Sequence, residues 1–198
     1  MLRYYILIII ASNVGIMGLN LLAYGSQISV LFAVLSPILA TVAVILLDAI
    51  VAIVMRQLPK SWLEPFNSIF TVSKQERKFL DKLKIKAWKD KIPEMGRFLC
   101  NFDKTKVKEN PTSDYILTFL HETTVAEAMH FMSIFAGFLL LFIPIPNAEV
   151  SILFVVLVNA LLQIPPVLVQ RYNRPKLVAY FARLQRQEKN LLFEHKKN

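Results

Sequence analysis

A ten-residue run, HETTVAEAMH at positions 121–130, holds three side chains that are suited to acid–base chemistry. On a helix that turns by about 100° per residue, Glu127 and His130 lie about 140° and 80° from Glu122, so the three share one face. Histidine is the usual general base near neutral pH, and a carboxylate hydrogen-bonded to one ring nitrogen orients the ring. We therefore take His130, Glu127 and Glu122 as candidate catalytic residues.

Other interpretations of these ionisable residues stay open. The Glu-x-x-His spacing of Glu127 and His130 is typical of di-iron bundles, but such a site needs a second pair, and of the three histidines His195 lies in the terminal tail. We therefore expect neither a metal nor a cofactor. Alternatively, these residues pair with arginines of the tail and only hold helices together. Asp48, in the apolar run LLDAI, is a further site candidate, or else a partner of Arg56 or of an asparagine in the first span.

A second polar cluster lies in QRYNRPKL, residues 170–177, where a long apolar run ends. Its candidate substrate-binding residues are Gln170, Arg171, Tyr172, Asn173, Arg174 and Lys176. The alternative is a positively charged anchor at the inner membrane surface, with the tyrosine among the interfacial aromatic residues. That alternative explains the arginines but not the asparagine and the proline set among them.

Two signals indicate an amphipathic helix and a membrane-lying segment before the third span. Ser73 followed by Glu76 is a capping-box pattern, which opens a helix. In KIKAWKDKIPE, Trp88 lies among lysines that include Lys89, and Pro93 ends any helix there. Tryptophan and lysine favour the headgroup region of a bilayer, so we expect this segment to lie on the membrane and both residues to contact substrate. An ordinary surface loop is the alternative.

The elements that must position these residues are membrane-spanning helices. The chain of 198 residues is 55% hydrophobic, with a mean hydropathy of +0.48, yet it carries 23 Lys and Arg against 14 Asp and Glu. The charges are separated from four apolar stretches, each near the length that crosses about 30 Å of hydrocarbon. We place these spans at about 5–24, 29–55, 129–146 and 150–170. The predicted fold is therefore an all-α integral membrane protein, a single domain with four transmembrane helices.

The first apolar stretch also has the basic start and the apolar run of a cleaved signal peptide. It is as long as a full span, however, and the small residues of a cleavage site are missing before Gly25 and Ser26. We therefore expect a retained helix. The single cysteine, Cys100, can form no internal disulfide and gives no argument for an oxidising compartment.

Charge asymmetry predicts the topology. Residues 55–115 hold 14 Lys and Arg against 8 Asp and Glu, residues 170–198 hold 8 against 2, and the loops at 25–28 and 145–149 hold no basic residue. Because cytoplasmic loops are enriched in Lys and Arg, we expect both termini to be cytoplasmic, together with a basic segment at 56–120 and a basic helical tail at 171–198. No recognised nucleic-acid-binding module accompanies these charges, so we expect no nucleic-acid partner.

The short outer connection makes the third and fourth spans an antiparallel pair. Their cytoplasmic ends must then be neighbours. We therefore expect Arg171 or Arg174 to contact Glu122, Glu127 or the surroundings of Asn173, because an arginine gains strongly from a carboxylate in a low dielectric.

The runs LKIKAWKDKIPE and QRYNRPKL, with the block from Glu122 to His130 between them, resemble the glycosyl-4,4'-diaponeurosporenoate acyltransferase family. These are enzymes of the last step of staphyloxanthin-type carotenoid synthesis. The resemblance covers about residues 70–187. Gln163 stands where the family pattern has an asparagine, and the second span with Asp48 is not an evident part of the resemblance.

The resemblance implies transfer of a fatty acyl group from acyl-CoA or an acyl carrier to a hydroxyl of a membrane glycolipid or glycosylated isoprenoid, in a bacterial cell membrane. His130 would then take the hydroxyl proton, Glu127 or Glu122 would orient it, and the cations of QRYNRPKL would hold the donor phosphates. Neither a His-x-x-x-x-Asp nor a Gly-x-Ser-x-Gly motif supports the reaction independently. The alternative is a non-catalytic lipid-binding or scaffold subunit that grips anionic headgroups with the same residues.

Overall fold

The computed structural model describes residues 2–92 and 111–195. Within these ranges the chain is helical and has no β-strand. Four stretches of helix are long and apolar enough to cross a membrane: Arg3–Gln27, Val30–Gln57, Ser113–Phe142 and Glu149–Phe193. These findings confirm the predicted all-α fold with four spans and indicate a multi-pass membrane protein. The predictions for Pro93 and Cys100 concern residues outside the described ranges.

Among the described residues, six α-helices carry the fold: α1 (Leu2–Tyr24), α2 (Val30–Gln57), α3 (Lys74–Lys82), α4 (Ile85–Trp88), α5 (Ser113–Phe138) and α6 (Glu149–His195). The chain divides into two compact units. Unit 1 comprises Met1–Gln57 and Met129–Pro166, and unit 2 comprises Leu58–Ala128 and Val167–Asn198. Each of the two long helices, α5 and α6, therefore contributes residues to both units.

Both long helices extend beyond the predicted spans. Helix α5 begins at Ser113, well before the predicted start at 129, and α6 continues to His195 although the apolar run ends near 170. The predicted boundaries followed the loss of apolar character. The helices continue because Glu, Gln, Lys and Arg are good helix formers, so the change in polarity does not end them.

In unit 1 the predicted break between the first two spans is confirmed. A short 3-10 turn, Gly25–Gln27, joins α1 to α2. Gly25 has a φ of 53°, a left-handed conformation that glycine adopts without the steric cost of a Cβ atom.

A buried polar cluster ties three helices of unit 1 together within an apolar core. Asn20 of α1 donates from Nδ2 to Oγ of Ser151 on α6 at 2.8 Å and to Oγ of Ser36 on α2 at 3.2 Å. Asn20 and Ser151 are fully buried. Hydrogen bonds between spans have few competing partners in hydrocarbon, so this cluster fixes the register of the three helices.

Unit 2 starts its main helices with side-chain caps. The hydroxyl of Ser73 accepts the backbone N–H of Glu76 at 3.1 Å, which confirms the predicted start of α3. The Glu76 side chain bonds the backbone of Ser73, as in a capping box, and also an arginine of α6. At the start of α5, Ser113 donates its N–H and its hydroxyl to Glu188 at 2.9 and 2.6 Å. The carboxylate thus satisfies one of the first N–H groups of the helix, which have no partner within the helix.

Candidate functional site

The first polar cluster, which we call the His130 network, lies in unit 1 and joins α2, α5 and α6. Nδ1 of His130 is 2.6 Å from Oε1 of Gln163. Nε2 of Gln163 donates to Oδ2 of Asp48 at 2.7 Å and to Oδ1 of Asn159 at 3.4 Å. Asn159 and Gln163 are four residues apart on α6, so they lie on one face of that helix. The network therefore connects a histidine to a carboxylate through a single amide.

The amide of Gln163 determines which nitrogen of His130 is available as a base. An amide oxygen only accepts hydrogen bonds, so Nδ1 must carry a proton. In the neutral ring the lone pair then lies on Nε2, which is the atom that can accept a proton. The amide orientation follows from Asp48, because the reverse orientation would place the amide oxygen against a carboxylate oxygen. The arrangement thus selects one tautomer of the imidazole.

Ser133 and Asn159 also direct their side chains toward the carboxylate of Asp48. Oδ1 of Asp48 and Nδ2 of Asn159 are buried and lie outside strict hydrogen-bond geometry. A buried polar atom that is left without a partner costs about 1–3 kcal/mol. Gly137 of α5 permits the close approach of Asn159, since a Cβ at Gly137 would lie 3.3 Å from Nδ2 of Asn159.

The second polar cluster, the Glu127 network, lies in unit 2 and consists mainly of charged residues. Oε1 of Glu127 accepts from Nη1 of Arg171 at 2.6 Å, and Oε2 accepts from Nη2 of Arg174 at 2.6 Å. Arg171 also binds the carboxylate of Glu76 through Nε and through Nη2, the latter at 2.9 Å. Arg174 donates from Nη1 to the hydroxyl of Thr124 at 2.5 Å. Two guanidinium groups therefore meet two carboxylates.

Burial makes the Glu127 network important for stability. Arg174 is 1% exposed and Glu127 is 4% exposed. The Arg174 guanidinium also lies 5.4 Å from the ring centre of Phe70, within the range of a cation–π contact. Breaking a buried ion pair leaves an uncompensated charge, which costs about 3–5 kcal/mol. At the more exposed end of the Glu127 network, pairing with Arg171 holds the pKa of Glu76 below its usual range, although burial partly opposes this effect.

Several other predicted site residues lie in unit 2 with uncharged partners. Nζ of Lys89 donates to Oδ1 of Asn173 at 3.4 Å. Nζ of Lys176 lies 4.0 Å from the ring centre of Tyr172. The indole N–H of Trp88 donates to a backbone carbonyl of the preceding helical turn at 3.0 Å. Gln170, next to these residues on α6, and Glu122 on α5 are half-buried.

The structure confirms the expected contact between a tail arginine and Glu127, and both arginines make it. The sequence also predicts that Glu127 or Glu122 orients the ring of His130. Both oxygens of Glu127 accept from guanidinium groups, whereas Nδ1 of His130 bonds Gln163. Arg171 and Arg174 are likewise bound to carboxylates of the protein. A carboxylate flanked by two cations gains more from them than from a neutral imidazole, which explains this choice of partners.

Sequence analysis missed the functional potential of Asn159 and Gln163. Their spacing of four residues within the apolar run at 150–170 is the signal that could have found them, because polar side chains inside a span usually face a partner or a cavity. Gln163 was noted only as a departure from a family pattern. Within residues 2–92 and 111–195, no group of three or more His, Cys, Asp or Glu side chains is placed to hold a metal ion.

A model of the glycosyl-4,4'-diaponeurosporenoate acyltransferase family matches residues 59–183, more than half of the chain. The chain belongs to this family. Membership implies acyl transfer to a glycosylated carotenoid, and hence a glycosylated lipid acceptor and an acyl donor. No similar curated protein and no similar solved structure was found.

The family match includes most, but not all, of the two networks. His130, Gln163 and the whole Glu127 network lie within residues 59–183, whereas Asp48 lies outside this range. In this acyltransferase, the carboxylate at the end of the His130 network is therefore supplied by a part of the chain that the family model does not cover.

Proposed function

We propose that this acyltransferase moves a fatty acyl group from an acyl carrier to a hydroxyl of a glycosylated isoprenoid, and that His130 is the general base. The observation that supports this most directly is the hydrogen bond from His130 to Gln163 and on to Asp48. A hydroxyl is a poor nucleophile until a base takes its proton. A half-buried histidine that is fixed in one tautomer suits that task.

The proposed reaction is a transfer between a thioester and an alcohol. The acceptor hydroxyl gives its proton to Nε2 of His130 while its oxygen forms a bond to the acyl carbonyl carbon. The bond from this carbon to the carrier sulfur then breaks, and the departing sulfur receives the proton from His130. Gln163 and Asp48 keep the ring oriented through both steps, so they are positioning residues.

For the donor, we propose the basic residues of unit 2. Arg171 and Arg174 are already bound to carboxylates. Lys89 contacts an amide, and Lys176 contacts an aromatic ring. Because neither ammonium group is paired with a carboxylate in these contacts, both can pair with the phosphates of a donor. Lys176 also lines a small cavity together with Arg77, Tyr172 and Arg171.

We propose a bacterial cell-membrane location with both termini cytoplasmic. The two basic segments, 55–115 and 170–198, support this orientation, because lysine and arginine are enriched on the cytoplasmic side. A reporter that is active only in the cytoplasm, fused after Asn198, is expected to be active. Activity of a reporter that works only outside the cell would contradict the orientation.

The function is tested with His130→Ala in purified protein, using an acyl carrier as donor and a glycosylated polyene as acceptor. Loss of the general base is expected to reduce product formation by about 10²- to 10⁴-fold. His121→Ala is the matched control, because His121 lies on the same helix but outside the His130 network.

The outcomes of this test decide whether His130 is the general base and whether the protein is an enzyme. Unchanged turnover in folded His130→Ala would remove the base from the mechanism. If the native protein binds the acceptor but forms no product with any thioester donor, the non-catalytic lipid-binding or scaffold function is favoured instead.

A further inference from the structure

A groove in unit 1 lies between the middle parts of α1 and α2 and the first part of α6. Its lining includes Ile16, Val44, Ile45, Val158 and Leu162, together with Asn159. The lining covers residues 9–16 of α1 and 155–162 of α6. This corresponds to about 10 Å along each helix at a rise of about 1.5 Å per residue. The residues that line the groove carry no charge.

The groove has a buried inner wall and an exposed outer wall. Ile16 and Val44 are 3% and 4% exposed, whereas Ile45 is 53% exposed. These residues belong to helices that are long and apolar enough to span a membrane. In a bilayer the exposed wall would face hydrocarbon, so a ligand dissolved in the membrane can enter the groove from the side.

Asn159 connects this groove to the His130 network. Its Oδ1 accepts from Gln163, and its Nδ2 lies beside Gly137 of α5, on the side of Asp48. Asn159 therefore belongs both to the lining of the groove and to the His130 network, so the groove borders the network.

We propose that the groove holds the apolar chain of the acceptor, with the glycosyl head of the acceptor toward the His130 network that Asn159 borders. The inference rests on the proposed function, which requires an acceptor hydroxyl at His130. An uncharged groove that opens to hydrocarbon fits a membrane-resident polyene. It does not fit the phosphates of an acyl donor, whose desolvation here would be costly.

The test measures binding separately from turnover. The probe is the glucosyl ester of retinoic acid, a short polyene acid whose absorption band reports transfer into an apolar site. The full chain is placed in lipid nanodiscs, without acyl donor, and titrated with this probe. Val158→Trp fills the groove, and the matched control is Val42→Trp, which places the same ring on α2 at a position 48% exposed and outside the groove.

Val158→Trp is expected to weaken probe binding by about tenfold or more, and Val42→Trp by less than about twofold. If Val158→Trp does not fold, Ile45→Trp at the exposed wall serves as the second groove-filling variant.

His130→Ala distinguishes this inference from the proposed function, because it should bind the probe like the native protein while losing turnover. Binding within twofold of native by a folded groove-filling variant would overturn the groove assignment and leave the function intact. Absence of saturable binding to the native protein would also overturn it. Full turnover by His130→Ala would instead overturn the proposed function.

Discussion

The His130 network and the Glu127 network draw on the same two long helices but pair their polar groups in different ways. In the Glu127 network both oxygens of one carboxylate accept from guanidinium groups, and the central residues are almost inaccessible. In the His130 network, hydrogen bonds run from an imidazole through an amide to a carboxylate, and no pair of opposite charges is in direct contact among these three groups.

This difference assigns different tasks to the two regions. Opposite charges in direct contact resist separation, so the Glu127 network is suited to holding helices of unit 2 in place. A neutral histidine with a fixed tautomer can gain and lose a proton, so the His130 network is suited to chemistry. Substitutions in the Glu127 network are therefore expected to change stability, and substitutions in the His130 network are expected to change the reaction rate.

The largest stability effect is expected for Glu127→Gln. The amide removes the charge between Arg171 and Arg174 but keeps the shape, so two guanidinium groups lose their shared carboxylate. We expect the free energy of unfolding in detergent to fall by about 3–5 kcal/mol, with activity per folded molecule largely retained. Glu64→Gln, the same substitution at an exposed position in the same unit, is the control. If Glu127→Gln instead keeps native stability but loses much of its reaction rate, Glu127 acts in catalysis.

Gln163→Leu is expected to have the largest effect on rate after loss of the histidine itself. Leucine removes the acceptor of Nδ1 of His130, so the ring loses both its orientation and its tautomer. We expect kcat to fall by about 10²-fold. Gln163→Asn keeps an amide on a shorter side chain and should recover part of this loss. An unchanged pH–rate profile in both variants would show that Gln163 does not act through His130.

Arg174→Lys separates the structural role of this arginine from the predicted phosphate clamp. A lysine keeps the charge but lacks the planar fork with which the guanidinium reaches Glu127 and Thr124, so the fixed geometry of these two bonds is lost. We expect a loss of about 1–2 kcal/mol in the free energy of unfolding, with the KM for the acyl donor unchanged. A raised KM for the donor at native stability would favour the clamp.

The sequence predicts the spans well because few structures can cross hydrocarbon, and apolar length identifies them. The contact between Arg171 or Arg174 and Glu127 was also predictable, since a short connection and opposite charges restrict where the helices can meet. The ends of α5 and α6 were not, because helix propensity continues after apolar character stops.

The partner of His130 could not be predicted from the sequence. Helix α6 carries polar groups on several faces, and the rotation of one apolar helix against another is only weakly determined by sequence. Asp48 was a site candidate from its place in an apolar span, but its connection to His130 depends on the side chain of Gln163, which lies far from both in sequence.

The smallest effect is expected at Glu76, and it depends on pH. Arg171 holds the pKa of the folded Glu76 below its usual range, so the stabilisation is complete above that range and is lost as the pH falls through the folded value. Glu76→Gln should therefore lower stability at neutral pH by at most about 1 kcal/mol, and the difference from the native protein should shrink as the pH falls below about 4. Melting temperatures of the native protein and of Glu76→Gln, measured from neutral pH to below about pH 4, give this difference. Glu64→Gln is an exposed control in the same unit. A difference that stays constant with pH would show that the carboxylate of Glu76 contributes no charge-dependent stability through Arg171.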